Sequence, residues 1–122
     1  MNRAEGLEHA KYLWEVSGHL PLPQKLALCK ELSYYDMFSR SQLASIARMD
    51  PKTLKKHGIR SNARGGRFNP EAITTLQILE EQFRLEKMVS KHLVDVCLGT
   101  GCSANAIADI IGVHHGKVYR LL

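Results

Sequence analysis

The sequence has no long hydrophobic run and few cysteines, and both absences limit the classes of protein it can belong to. No apolar stretch approaches the roughly 18 to 20 residues that a membrane-spanning helix needs. The N-terminal segment MNRAEGLEHA is polar and lacks the hydrophobic core of a secretion signal. Three cysteines, an odd number without a CxxC pair, are typical of reduced thiols. We therefore expect a cytoplasmic protein that does not enter a membrane.

Motifs for metal binding and catalysis are also missing. His92, Cys97 and Cys102 are spaced five residues apart, with His114 and His115 further along. Structural zinc sites usually use ligand pairs two to four residues apart, so buried cysteines are expected here and a metal site is not. The sequence has no GxxxxGK, GxSxG, HExxH or DxDxDG string, and its scattered acidic residues do not form a paired-carboxylate centre. We expect neither an enzyme nor a bound cofactor.

Positive charge is present in excess, and it is concentrated in one stretch. The net charge is +5 with neutral histidines. Residues 40–67 contain eight basic residues and one acidic residue, a balance of +7. Residues 1–39 contain four basic and five acidic residues, and residues 68–122 contain five and six. A localised basic stretch is typical of a protein that binds a polyanion, although a solvated loop rich in lysine and arginine has the same composition.

Apolar residues recur at helical spacing along most of the chain. Asp50-Pro51 and Asn69-Pro70 are strong helix starts, because the side chain accepts hydrogen bonds from free amides and proline fits the first turn. Residues 59–67, IRSNARGGR, suit a loop or a β-turn. We predict helices over residues 3–17, 23–34, 41–48, 51–57, 70 to about 89 or beyond, 103–111 and 114–121.

The C-terminal segment ANAIADIIGVHHGKVYRLL has the packing pattern of a helix-turn-helix. Ala108 is the small residue at the helix crossing, Gly112 forms the turn, Val113 fills the space behind it and Val118 is the buried anchor. Residues 103–122 resemble the helix-turn-helix of resolvase-type recombinases and of many small repressors. The outward-facing residues then contact DNA, and these are His114, His115, Lys117, Tyr119 and Arg120.

The middle segment SQLASIARMDPKTLKKHGI follows the same frame less closely. Ala44, Met49 and Leu54 take the crossing, filling and anchor positions, but Arg48 stands where glycine is usual. A plain helical hairpin followed by a basic loop is the alternative interpretation. The predicted DNA contacts in the motif and its flanks are Arg40, Lys52, Thr53, Lys55, Lys56 and Arg60.

The segment RGGRFNPEAITTLQIL, which follows this motif, extends the pattern. With the motif it resembles, over residues 41–85, the winged helix-turn-helix of the mercury-resistance-regulator (MerR) and excisionase group. The resemblance implies that Arg64 and Arg67 contact phosphate or the minor groove and that Phe68 attaches the wing to the core. The chain departs from that group because about 38 residues precede the motif and a second helix-turn-helix follows it.

The predicted fold is all-α: a compact helical domain with two helix-turn-helix motifs and a small wing or loop. We expect an N-terminal helical segment (1–38), a helix-turn-helix with a basic wing and a long helix (39–98), and a C-terminal helix-turn-helix (99–122). The sequence does not say whether both motifs contact DNA. It also leaves open whether the apolar stripe of helix 70–89 pairs subunits in a homodimer or packs in the core.

The predicted function is sequence-specific binding of double-stranded DNA by a transcriptional regulator, a repressor of phage or mobile-element type. An architectural excisionase or a small terminase subunit is the alternative within DNA binding. A protein-interaction adaptor with a basic face is the alternative from another class.

Overall fold

Residues 2–122 contain eight α-helices, and six of these begin at a residue whose side chain caps the helix. The computed structural model describes residues 2–122, and within them no strand forms, so the predicted all-α class is confirmed. A short 3-10 turn, Pro70–Ala72, precedes the fifth helix. The helices are α1 (Arg3–Val16), α2 (Leu22–Ser33), α3 (Arg40–Ala47), α4 (Pro51–Lys56), α5 (Ile73–Glu86), α6 (Lys91–Thr100), α7 (Ala104–Ile111) and α8 (His115–Tyr119).

A helix is present where one was predicted from residue 70 to about 89 or beyond, but it ends earlier, at Glu86, because the chain breaks between α5 and α6. Lys87 ends α5 in the left-handed conformation with φ 58°. Ser90 then starts α6, where its side chain accepts a hydrogen bond from the Leu93 amide, while its own amide donates to Gln82 Oε1 at 2.8 Å. The sequence signal of this break is the serine cap, which is weaker than the Asn69-Pro70 start.

Helix α5 lies at the centre of the fold and packs against α1, α6 and α7. Its inner face buries Ile73, Leu76 and Leu79 completely or nearly so. The apolar stripe of this helix therefore packs in the core, which was one of its two predicted uses. Met88, just beyond the C-terminal end of α5, is exposed. Among residues 2–122 no single helix has the length and apolar character of a membrane span, and α6 with α7 reaches them only across a bend of 119°.

Residues 59–69 form an extended loop without a β-hairpin. Of the two predicted possibilities for this segment, a small wing or a loop, the structure has the loop. Two of its carbonyl groups accept hydrogen bonds from α3 and from the residue that caps α7. The Gly66 carbonyl accepts from Gln42 Nε2 at 3.0 Å, and the Arg67 carbonyl accepts from the Ser103 amide at 2.9 Å. Phe68 attaches the loop to the core, because its ring centroid lies 5.5 Å from that of Phe38.

The helix pairs α3–α4 and α7–α8, called the first and second pair below, have the same turn geometry. Arg48 and Gly112 both adopt the left-handed conformation, with φ of 56° and 81°. In the first pair the Met49 amide donates to the Ala44 carbonyl at 2.9 Å, and in the second the Val113 amide donates to the Ala108 carbonyl at 3.0 Å. The turn position expected to need glycine is thus occupied by arginine in the first pair.

The side chain of Arg48 explains how a residue with a Cβ is held in this conformation. Its guanidinium carbon lies 3.7 Å from the Trp14 ring centroid, and its Nε donates to Ser17 Oγ at 2.9 Å. A second guanidinium nitrogen donates to the Trp14 carbonyl at 3.4 Å. The Arg48 guanidinium therefore binds the turn to the C-terminal end of α1. Because it is engaged in these contacts, it is less available to a ligand than the other basic side chains of residues 40–67.

Replacing Arg48 with alanine should lower the free energy of unfolding by about 1–2 kcal/mol, because the cation–π contact and the hydrogen bonds are lost. Replacing it with glycine should cost about 1 kcal/mol less than alanine, because glycine relieves the left-handed strain. Urea denaturation followed by circular dichroism measures both values. Arg60→Ala, at an exposed position, is the control and should be neutral. Equal stability of the two Arg48 variants would show that the backbone is not strained.

Candidate nucleic-acid interface

Seven basic residues lie at the N-terminal end of α3, on α4 and in the loop that follows, and three of them, Arg40, Lys52 and Lys55, line one groove. Arg40 is half-buried and the other six are exposed. Within the described part of the chain, none of the seven side chains forms a hydrogen bond or an ion pair, in contrast to Arg48. We call this set the basic surface, and its members are Arg40, Lys52, Lys55, Lys56, Arg60, Arg64 and Arg67.

Helix α4 presents its lysines from one side because its other side is anchored in the core. Leu54 is fully buried and Thr53 is half-buried, whereas Lys52, Lys55 and Lys56 are exposed. The spacing of three and four residues between Lys52 and the other two places them on neighbouring positions of the helix surface. Uncompensated like charges are therefore held close together.

The one acidic residue of the basic stretch does not neutralise this surface. The Asp50 side chain accepts a hydrogen bond from the Lys52 amide at 2.9 Å and so caps α4. A carboxylate at this position offsets the free amides of the first helical turn. The lysine ammonium groups of α4 remain without a carboxylate partner within residues 2–122.

Two open grooves flank the N-terminal half of α3. The groove towards α4 has a volume of about 430 Å³ and is lined by Ser39, Arg40, Ser41, Pro51, Lys52, Lys55, Ser61 and Ala63. The groove on the other side, of about 530 Å³, is lined by α3, by loop residues that include Arg67, and by the end of α6. Sequence reasoning missed the serines that line these grooves, although they are spread through the basic stretch. Hydroxyl groups beside cationic side chains are common partners of phosphate oxygens.

The predicted contact residues of the second pair are largely used within the protein. His114 Nδ1 accepts from the Gly116 amide at 3.0 Å and so caps α8. His115 Nε2 lies 2.7 Å from Asp109 Oδ1, and the Tyr119 hydroxyl donates to Asn105 Oδ1 at 2.8 Å. The contacts of His115 and Tyr119 connect α8 to α7, and all three contacts reduce what these side chains can offer to a ligand.

Lys117 and Arg120 are the remaining predicted contacts of the second pair, and both are exposed. The Lys117 ammonium lies 5.5 Å from the Phe83 ring centroid, a cation–π contact with the end of α5. With Asp109 as the only acidic residue, residues 103–122 have a balance of +1, against +7 for residues 40–67. The first pair and the loop that follows it therefore carry much the larger positive charge.

The two turns lie at opposite ends of α1. The turn of the first pair contacts Trp14 and Ser17 through Arg48. The turn of the second pair lies beside the other end, where a Cβ built on Gly112 would be 2.7 Å from Nε of Arg3. Because α1 has 14 residues, its ends are about 21 Å apart.

The N-terminal ends of α3 and α7, in contrast, meet at two consecutive glycines of the loop. A Cβ built on Gly65 would lie 3.0 Å from Cβ of Ser39, the residue that caps α3. A Cβ built on Gly66 would lie 2.8 Å from Oγ of Ser103, which caps α7. The two capping serines thus lie on either side of one peptide unit, with Arg64 and Arg67 immediately before and after it.

The three cysteines are buried and unbridged. Burial raises the pKa of the Cys29 thiol to about 11. Burial, with a smaller contribution from Cys102, raises the pKa of Cys97 to about 12, so both thiols are neutral at physiological pH. No three potential metal ligands come together in residues 2–122.

No protein-family model, no curated protein and no solved structure matches this chain. The function is therefore inferred from the geometry and charge of its own residues.

Proposed function

We propose that this chain is a sequence-specific double-stranded DNA-binding protein that acts as a transcriptional regulator, with its main contact through α4 and the adjoining loop. The observation that carries the proposal is the basic surface. Its seven cationic side chains are free of ion pairs within residues 2–122, and three of them project from one side of a short helix. The ammonium and guanidinium groups would neutralise phosphates, and the lysine side of α4 would face base edges in the major groove.

The helix pair beneath this surface supports DNA as the polyanion in preference to an acidic protein. Ala44 allows α3 and α4 to approach closely, the left-handed Arg48 makes the turn tight, and buried Leu54 anchors α4. This leaves α4 projecting from the fold, since it packs mainly on α3. A projecting helix with a cationic outer face fits the width of a major groove. We propose repression as the mode of regulation, through occupation of a DNA site.

A small terminase subunit or another self-assembling DNA-binding protein is the second candidate. It is favoured by an unpartnered apolar strip on α5. Ile78 is 50% exposed and Leu85 is 66% exposed, and their spacing of seven residues places them on the same face of the helix. In this candidate the basic surface still binds duplex DNA, and α5 contributes to a homodimer or a larger assembly.

The test is fluorescence anisotropy of the protein on a pool of random duplexes of about 30 base pairs, roughly three helical turns. The titration is repeated across salt concentrations, and the bound fraction is selected and sequenced. Steep salt dependence with an enriched motif is the expected result for a sequence-specific regulator. Steep salt dependence without enrichment would favour the packaging candidate. Absence of binding at low salt would reject DNA and leave a protein-interaction adaptor.

A further inference from the structure

We infer that the two helix pairs bind one duplex together, so that a single chain occupies a two-part DNA site. This inference rests on the proposed DNA-binding function and specifies the architecture of the site. Three observations support it: the equivalence of the two helix pairs, their positions relative to α1 and to Gly65 and Gly66 (the glycine pair), and the charges on the side chains of each helix pair.

The two pairs are equivalent position by position, with a constant offset of 64 residues. Ser39 and Ser103 cap α3 and α7 by accepting from the third amide of each helix, at 3.2 and 3.1 Å. The crossing alanines, the left-handed turn residues and the buried anchors follow at the same offset. These further equivalent positions are Ala44 and Ala108, Arg48 and Gly112, and Leu54 and Val118.

The arrangement of the pairs is the one that an approximate two-fold axis would produce. Helices α3 and α7, each eight residues and about 12 Å long, start on either side of the Gly65–Gly66 peptide. They end at turns on opposite ends of α1, about 21 Å apart. Such an axis passes through the glycine pair and crosses the middle of α1. Two-fold-related helix-turn-helix units are the arrangement by which dimeric regulators bind two half-sites.

Helices α4 and α8 follow these turns and pack mainly on α3 and α7, outside the central helices. The two turns are about 21 Å apart, and a helix is about 10 Å in diameter. Because α4 and α8 lie outside the turns, the distance between these two helices is greater than about 21 Å and approaches the roughly 34 Å between successive major grooves. The glycine pair, with Arg64 and Arg67 beside it, then lies between the two helices. On a duplex this central position faces the minor groove, whose negative potential attracts arginine.

The two half-sites should differ in sequence because the two outer helices carry different side chains at equivalent positions. Lys52, Lys55 and Lys56 of α4 correspond to Gly116, Tyr119 and Arg120 of α8. The first helix thus has three cations where the second has one cation and one tyrosine. The α4 half-site contributes most of the affinity, and the α8 half-site contributes mainly to the length and polarity of the sequence recognised.

The experiment uses the duplex enriched from the random pool, with the full chain and two double variants. Lys55→Ala/Lys56→Ala changes the first pair, and Lys117→Ala/Arg120→Ala changes the second. Hydroxyl-radical footprinting and a scan of single base-pair substitutions give the positions that each protein reads. Native mass spectrometry of the complex gives the number of chains per duplex. Circular dichroism verifies folding, and Lys117→Gln/Arg120→Gln replaces the second variant if alanine unfolds α8.

The expected wild-type result is one chain per duplex, with two protected stretches whose centres are about 10 base pairs apart. The second-pair variant should lose base preference in one stretch and keep it in the other, and the first-pair variant should do the reverse. Unchanged base preferences in the second-pair variant, or two chains per duplex, would overturn the two-part site while leaving the proposed function intact. Failure of the proposed function itself shows earlier, as a pool without an enriched sequence.

Discussion

Replacing Lys55 and Lys56 with alanine should lower the affinity for duplex DNA about 60-fold near 0.1 M salt, if each lysine neutralises one phosphate. Both side chains are exposed on α4 and have no carboxylate partner within residues 2–122, so each is free to displace a condensed counterion. The slope of log affinity against log salt should become shallower by about 1.8, since each lost phosphate contact removes about 0.9. Fluorescence anisotropy across a salt series measures both quantities.

The matched control for this variant is Lys25→Ala/Lys30→Ala, which also removes two positive charges, but from α2, outside the basic stretch. It should lower the affinity far less and leave the salt slope nearly unchanged. If the control and the α4 variant lose affinity equally, the effect is one of net charge and α4 is not the binding helix. An unchanged slope in a folded α4 variant would move the main contact to the second pair.

Replacing Gly66 with alanine should lower the free energy of unfolding by about 2–4 kcal/mol. Its φ of 135° lies in a region that residues with a Cβ rarely adopt, at a cost on the order of 1–3 kcal/mol. The added Cβ would also lie 2.8 Å from Ser103 Oγ and 3.3 Å from Ala106 Cβ, so α7 or the loop must shift. Urea denaturation followed by circular dichroism measures the change.

Gly18→Ala is the matched control, since a Cβ built there meets no atom within 4 Å and the backbone is not left-handed. This substitution should be neutral or stabilise the protein by up to about 1 kcal/mol, because alanine restricts the unfolded chain. Equal stability of the Gly66 variant and the wild type would show that the loop moves away from α7 without cost. In that case the close approach of Gly66 to Ser103 does not constrain the position of α7.

Much of the fold could be predicted from local signals in the sequence. Asp50-Pro51 and Asn69-Pro70 are unambiguous starts, and the observed helix and 3-10 turn begin at these prolines. The left-handed turn after α3 is harder to predict, because arginine is a poor substitute for glycine at that position. The contacts that hold Arg48 there involve residues more than 30 positions earlier, and no local pattern contains such information.

The loop conformation could not be predicted for the same reason, whereas the helix break at Ser90 has a weak local signal, the serine cap. Residues 59–69 have the composition of a hairpin, but two of their carbonyl groups accept hydrogen bonds from Gln42 and Ser103, which are distant in sequence. The local composition shows that this segment can form a turn. Whether it forms a β-hairpin or an extended loop depends on its tertiary contacts.

The candidate site was partly predictable because charge can be read directly from the residue types. The clustering of basic residues in 40–67 is sufficient by itself to indicate a cationic surface. Residue types alone do not show that side chains of the second pair form hydrogen bonds within the protein. Histidine and tyrosine at outward-facing positions predict ligand contacts, but the bonds of His115 with Asp109 and of Tyr119 with Asn105 depend on how α8 is oriented on α7.

The contact between Arg48 and Trp14 also provides the protein with an intrinsic optical reporter. Trp14 is the only tryptophan in the chain, and its indole ring lies against the guanidinium of the residue that forms the α3–α4 turn. Indole emission responds to a nearby cation and to solvent, so the fluorescence intensity and wavelength depend on whether this contact is closed. Movement of the turn during ligand binding can therefore be followed in the unlabelled protein, in real time and in the absence of any attached dye.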